Sequence, residues 1–157
     1  AITKCYPGRS DTGKGDRVAT PFEQALCRPW LEQELRLVNP RLLILVGGLA
    51  IKLLYPPSVR LDEIIGTAAY FAPGVDDPLN FDLSQAKIVT SDEAETLASH
   101  LPLATRHAPP TGHGRFVVPL PHPSGASLWP NKPENQALIM RAMALLREIR
   151  QWVHPTF

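Results

Sequence analysis

At 157 residues, with 44% apolar and 20% charged side chains, the chain has the length and balance of one globular domain with a single substantial core. No apolar run approaches the roughly 18 residues a membrane span requires, and no charged segment precedes an apolar one as in an export signal, so a cytoplasmic location is expected. A formal net charge of +1 excludes a strong global attraction to nucleic acid, so any DNA contact must come from local basic residues and backbone amides.

Ala1-Ile2-Thr3-Lys4-Cys5 reads as the end of a strand. A parallel sheet needs neighbours for such a strand, so the chain is expected to lack an upstream portion. Tyr6 to Ala19 is a polar loop with Pro7, Gly8, Gly13 and Gly15, in which Arg9, Lys14 and Arg17 stand against Asp11 and Asp16. Small residues with basic side chains suit a phosphate backbone. A solvated surface loop accounts for them equally well.

Thr20-Pro21-Phe22-Glu23 is a helix start, with Thr as N-cap, Pro at the first helical position and Glu at the third. The helix should reach about Val38, with a kink or break near Pro29. Cys27, Leu31, Leu35 and Val38 fall on one face, which by position makes Cys27 a core residue. The two cysteines, Cys5 and Cys27, do not make a disulfide scaffold at this size.

Asn39-Pro40 stops the helix. Arg41 to Val46 is a continuous apolar run of strand length, as for a strand buried on both faces. Gly47-Gly48 follows, then a helix with Leu49, Ala50, Leu53 and Leu54. Strand, Gly-Gly, helix is the turn of a parallel α/β unit, and its glycines admit a ligand or backbone near the helix N-terminus. The three-glycine spacing of a dinucleotide site is absent, and a nucleotide site at Gly47-Gly48 stays an alternative. Leu61 to Ile65 forms a short helical turn ending at Gly66, with Ala68 to Phe71 a strand.

Residues 72–115 read as an insertion: Pro73-Gly74, Asp76-Asp77-Pro78 and Pro109-Pro110-Thr111-Gly112 are loop signals around a helix expected from Ser91 to His100. The spacings of His100, His107 and His113 match no zinc ligand set, and these imidazoles are read as solvated. Phe116 to Leu120 is the second clear strand. It delivers Pro121-His122-Pro123-Ser124-Gly125-Ala126-Ser127, where prolines at 119, 121 and 123 restrict the backbone around His122. The imidazole is thus carried on a stiff loop at a strand end, where open α/β sheets place their ligands. Asn131 and Glu134 repeat the capping pattern, and a last helix runs to about Val153 with Leu138, Ala142, Leu145, Ile149 and Trp152 as its packing stripe.

Three of these segments recur in one order: Lys4-Cys5-Tyr6-Pro7-Gly8; Cys27-Arg28-Pro29-Trp30-Leu31 followed by Asn39-Pro40 to Gly47 and Ala50; and His122-Pro123-Ser124-Gly125-Ala126-Ser127. Together they resemble the uracil-DNA glycosylase superfamily, especially its iron–sulfur branch in bacteria and archaea. The resemblance implies an α/β fold, a parallel central sheet flanked by helices in three layers, as a single domain over 1–157 without its N-terminal part. It implies a base-excision repair enzyme, monomeric and without a membrane partner, that hydrolyses the N-glycosidic bond of uracil or another deaminated base in DNA. The alternative is a catalytically impaired DNA-binding member or fragment of the same fold.

By that resemblance His122 donates a hydrogen bond to the departing base, as an oxyanion hole would. Ser124 and Ser127 contact phosphates flanking an extruded nucleotide, and Gly125 and Ala126 sit where the family wedges into the base stack. Leu128 or Trp129 is a bulkier substitute for Ala126 as the wedge. Gly47, Arg9, Lys14 and Arg17 join the DNA- and base-contacting set. Cys5 and Cys27 match two ligands of a [4Fe–4S] cluster, whose other pair lies in the family's N-terminal region. The family's first motif, with the group that positions water, also lies upstream. Ala1 stands where many members carry an Asn that reads the uracil edge. Val18 replaces the His of the branch that traps uracil covalently, so no covalent intermediate is expected.

Overall fold

The capping signal at Thr20 is realised in the computed structural model, which describes residues 2–13, 15–73, 82–90, 114–123 and 128–153. Helix α1 spans Pro21–Val38: the Glu23 N–H donates to Thr20 Oγ1 at 3.3 Å, and the Glu23 carboxylate accepts from the Thr20 N–H at 2.8 Å. The helix runs through Pro29 without the expected break, and it ends at Asn39, whose left-handed backbone (φ 42°) returns an N–H to the Leu35 carbonyl. Cys27 is buried, whereas Val38 is 71% exposed and so lies off the face assigned to it. Residues 2–5 form no strand. The Lys4 N–H donates to Cys27 Sγ at 3.3 Å instead of entering a sheet ladder. These elements belong to the first of two compact units, Ala1–Asn39; the second is Pro40–Phe157.

The second unit is built on a four-stranded sheet in the order β1-β4-β2-β3, with β1 Leu42–Val46, β2 Ala68–Phe71, β3 Lys87–Val89 and β4 Arg115–Leu120. β1 and β4 are parallel, from Leu42 opposite Phe116 to Val46 opposite Leu120. β2 runs antiparallel to both β4 and β3, so the sheet is mixed, not wholly parallel as expected. β1 leaves and β2 enters at the same end of the sheet. The connection between them, which carries the four-residue helices α2 (Gly48–Ile51) and α3 (Leu61–Ile64), therefore makes no crossover, and β2 runs against β4.

Strand alternation feeds two apolar layers. Leu45, Ala69, Phe71 and Val117 face Ile51 and Leu54 of the α2 region and Ile64 of α3. Ala68, Tyr70, Phe116 and Val118 face Leu145 and Ile149 of α4, which spans Pro133–Val153. Helices thus cover both faces, the layering of an α/β fold. Near the end of α4, Trp152 packs edge-on to Phe116, ring centroids 5.1 Å apart. Arg115 is fully buried and donates from Nε to the Pro40 carbonyl at 2.8 Å.

β3 places part of the expected insertion in the sheet itself. The helix expected over 91–100, and His100, His107 and His113, lie outside the described residues. α4 begins at Pro133, so position 132 takes the place expected for an Asn131 cap; Asn131 instead closes the 3₁₀ turn Trp129–Asn131. Among the described residues, no helix is long and apolar enough to cross a membrane.

Candidate active site

Parallel pairing brings the carboxyl ends of β1 and β4 side by side, and with them the two loops that follow. The ladder continues one step past β1, where the Gly47 N–H donates to the Leu120 carbonyl at 2.9 Å. Two residues beyond Leu120, exposed His122 stands between Pro121 and Pro123. Gly47 has φ +84°, and a Cβ built on it would lie 3.1 Å from His122 Cδ2 and 3.2 Å from His122 Cβ. Gly47 and His122, from opposite halves of the second unit's sequence, are therefore in contact. The carbon side of the ring meets a backbone without a side chain.

The far end of the His122 loop is also tied down. Asn135, 4% exposed in the first turn of α4, donates from Nδ2 to the Trp129 carbonyl at 2.8 Å. An amide buried there satisfies the backbone of the turn that ends the loop. Entrance and exit are thus each anchored by a hydrogen bond. Ser124, Gly125, Ala126 and Ser127 lie outside the described residues.

An imidazole at the carboxyl edge of parallel strands, on a proline-stiffened loop, can donate a hydrogen bond to a group entering from solvent. The amino-acid sequence matches the family model for the Uracil DNA glycosylase superfamily over residues 1–147. The chain belongs to that superfamily. No curated protein and no solved structure matches it.

Within the superfamily frame, the candidate DNA-contacting residues of the first unit fare differently. Arg17 is held by Glu23, with Nη1 2.8 Å from the Glu23 carboxylate, and is half-buried. Arg17 first, and then the Thr20 N–H, holds the Glu23 carboxyl at about 2. Tyr6 donates to Asp16 at 2.9 Å, and that bond raises its phenol above the ordinary tyrosine range. Arg9 is exposed and pairs its backbone with Asp16 across the loop. Lys14 lies outside the described residues.

Cys27 is buried and Cys5 exposed. The Lys4 N–H on Cys27 Sγ is the kind of hydrogen bond that cluster sulfurs receive. Two thiolates nevertheless do not complete a four-ligand set. Among the described residues, no three His, Cys, Asp or Glu side chains converge as a metal site. The residues present do not fit a whole [4Fe–4S] cluster.

An open groove of about 640 Å³ lies in the second unit between Arg60, Asp62, Trp129, Lys132, Glu134 and Asn135. Its positive charge is offset, because Arg60 Nη2 pairs with Asp62 at 2.6 Å. Sequence reasoning missed Asn135. Its only signal was a polar residue in the first turn of a helix, a place where polar residues are common.

Proposed function

We propose that this protein is a DNA glycosylase that hydrolyses the bond between the sugar and uracil, or a related deaminated base, in DNA. The reading is carried by His122 at the strand ends beside Gly47, in a chain of the uracil DNA glycosylase superfamily. In the reaction the C1′–N1 bond breaks and its electron pair leaves with the base, placing negative charge on N1 and, by conjugation, on O4 and above all on the adjacent O2 carbonyl oxygen. Water adds to C1′, and its released proton ends on the departing base. His122 donates a hydrogen bond to the carbonyl oxygen as that charge develops, which stabilises the transition state more than the ground state. A neutral imidazole suffices for this. Ser124 and Ser127 hold flanking phosphates of the extruded nucleotide, and Gly125 and Ala126 approach the base stack. Arg9 and Lys14 add phosphate contacts, while Arg17 serves first to brace Glu23. No step runs through a cluster at Cys5 and Cys27. The enzyme acts as a cytoplasmic monomer.

A second reading, a DNA-binding member with impaired catalysis, is favoured by one observation: Ala1 cannot supply the donor and acceptor pair that an Asn offers the uracil edge. Both readings are tested by a uracil-containing oligonucleotide, alkaline cleavage of the product, and a parallel salt titration of binding. The enzyme predicts strand breaks that fall about 10²–10³-fold in His122→Ala, the loss usual for one oxyanion donor. Salt-sensitive binding with no breaks from either protein selects the second reading.

A further inference from the structure

We propose that Gly47 is a positioning residue for His122: its missing side chain seats the imidazole, and any Cβ there displaces the ring. Three observations converge on this assignment. The backbone of Gly47 has φ 84° and ψ 163°, a region open essentially to glycine alone. A Cβ at 47 would lie 3.1, 3.2 and 3.5 Å from Cδ2, Cβ and Cγ of His122, the first two well inside the 3.5–4.0 Å optimum for carbon pairs. The Gly47 N–H is bonded to Leu120, at the end of the strand that delivers His122.

The backbone that carries the exposed imidazole is constrained. Pro121 and Pro123 restrict the backbone on both sides of it, and the Gly47–Leu120 hydrogen bond fixes the spacing of the two loops. Gly48, next along the chain, is different. A Cβ there meets nothing within 4 Å and its φ is ordinary. A donor must sit within a fraction of an ångström of where charge develops, and a misplacement of 1 Å costs about 10²-fold in rate. In this assignment Gly47 acts on the chemistry through His122.

The test uses the full chain with Gly47→Ala and Gly48→Ala. The ring signals of His122 are read by long-range proton–nitrogen NMR at one pH, assigned with His122→Ala. Gly47→Ala is expected to move the ring signals, and Gly48→Ala to leave them in place. A folded Gly47→Ala protein with unmoved His122 signals overturns the proposal.

Backbone strain at φ 84° is separated from the clash by stability. Gly47→Ala should lower the melting temperature less in a His122→Gly background than in the native one, since strain is common to both and the clash is not. Equal losses, or failure to fold in both backgrounds, would mean that the backbone alone demands glycine, and the proposal falls. The activity arm rests on the proposed function: Gly47→Ala should lower kcat for uracil release, by less than the roughly 10²-fold cost of a 1 Å misplacement, with KM nearly unchanged. If the native protein releases no uracil, the proposed function fails while the NMR and stability arms still decide the role of Gly47.

Discussion

Pro40–Phe157 encloses Leu45, Ile51, Phe71, Val117, Leu145 and Ile149 at no more than 3% exposure, whereas in Ala1–Asn39 only Ala19 and Cys27 are buried among the described residues. The second unit is held by apolar burial between helices and sheet. The first carries mainly polar pairs at its surface: Thr20 with Glu23, Glu23 with Arg17, Lys4 with Glu34, and Tyr6 with Asp16. The contrast explains why the candidate catalytic group and the candidate phosphate-binding loop differ in character. His122 is placed by shape, against a bare backbone and between prolines. The basic residues of the loop are placed by charge, and some of that charge is already used.

The comparison breaks most directly in the second unit. Leu145→Ala removes a side chain with no exposure from the layer between α4 and the sheet. It should cost about 2–5 kcal/mol in denaturant unfolding, from lost transfer energy plus the cavity left behind. A loss of a few tenths of a kcal/mol would show that the layer does not hold the unit.

In the first unit, no single change should cost so much. Thr20→Ala removes the oxygen that accepts the Glu23 N–H, and about 1 kcal/mol is expected, read as faster amide exchange in the first turn of α1. Unchanged exchange would mean that Pro21 and Glu23 alone define the start.

The smallest effect is pH dependence. Glu23 titrates at about 2 in the folded chain, against 4.5 ordinarily, because Arg17 and the Thr20 N–H favour its charged form. Its folded pKa is depressed, so its contribution is present above about pH 4.5 and fades as pH falls toward 2. Protection of α1 amides should weaken across that window at low salt, and Glu23→Gln should flatten the change. A Glu23→Gln profile that still falls as steeply assigns the acid sensitivity to other groups.

Much of this architecture is legible in the sequence where a local signal acts alone. Thr20-Pro21-Phe22-Glu23 and Asn39-Pro40 mark both ends of α1, and the apolar runs before Gly47 and Pro121 mark β1 and β4. Among the described residues, however, β1 is an edge strand with Ile44 and Val46 exposed and not, as expected, buried on both faces. Legibility fails where tertiary pairing decides. β3 is three residues long with Ile88 about half exposed, too short for a period-two pattern to emerge. The direction of β2 depends on its pairing with β4 and β3, which no local signal encodes. The opening segment has the content of a strand, yet the Lys4 N–H finds a thiol instead of a carbonyl. In the candidate site, the proline-bound His122 and the glycine turn were each readable, but their contact was not. It arises from β1 and β4 being neighbours in the sheet.

In the genetic code, Gly47 has no neutral neighbour. Every amino acid reached from a glycine codon by one base change carries a Cβ, so no missense change at this codon keeps both its backbone shape and the space beside His122. Its neighbour Gly48 faces open space and has alternatives. Two identical adjacent residues therefore carry opposite mutational loads, and a scan of all substitutions through this turn would show a sharp step between them.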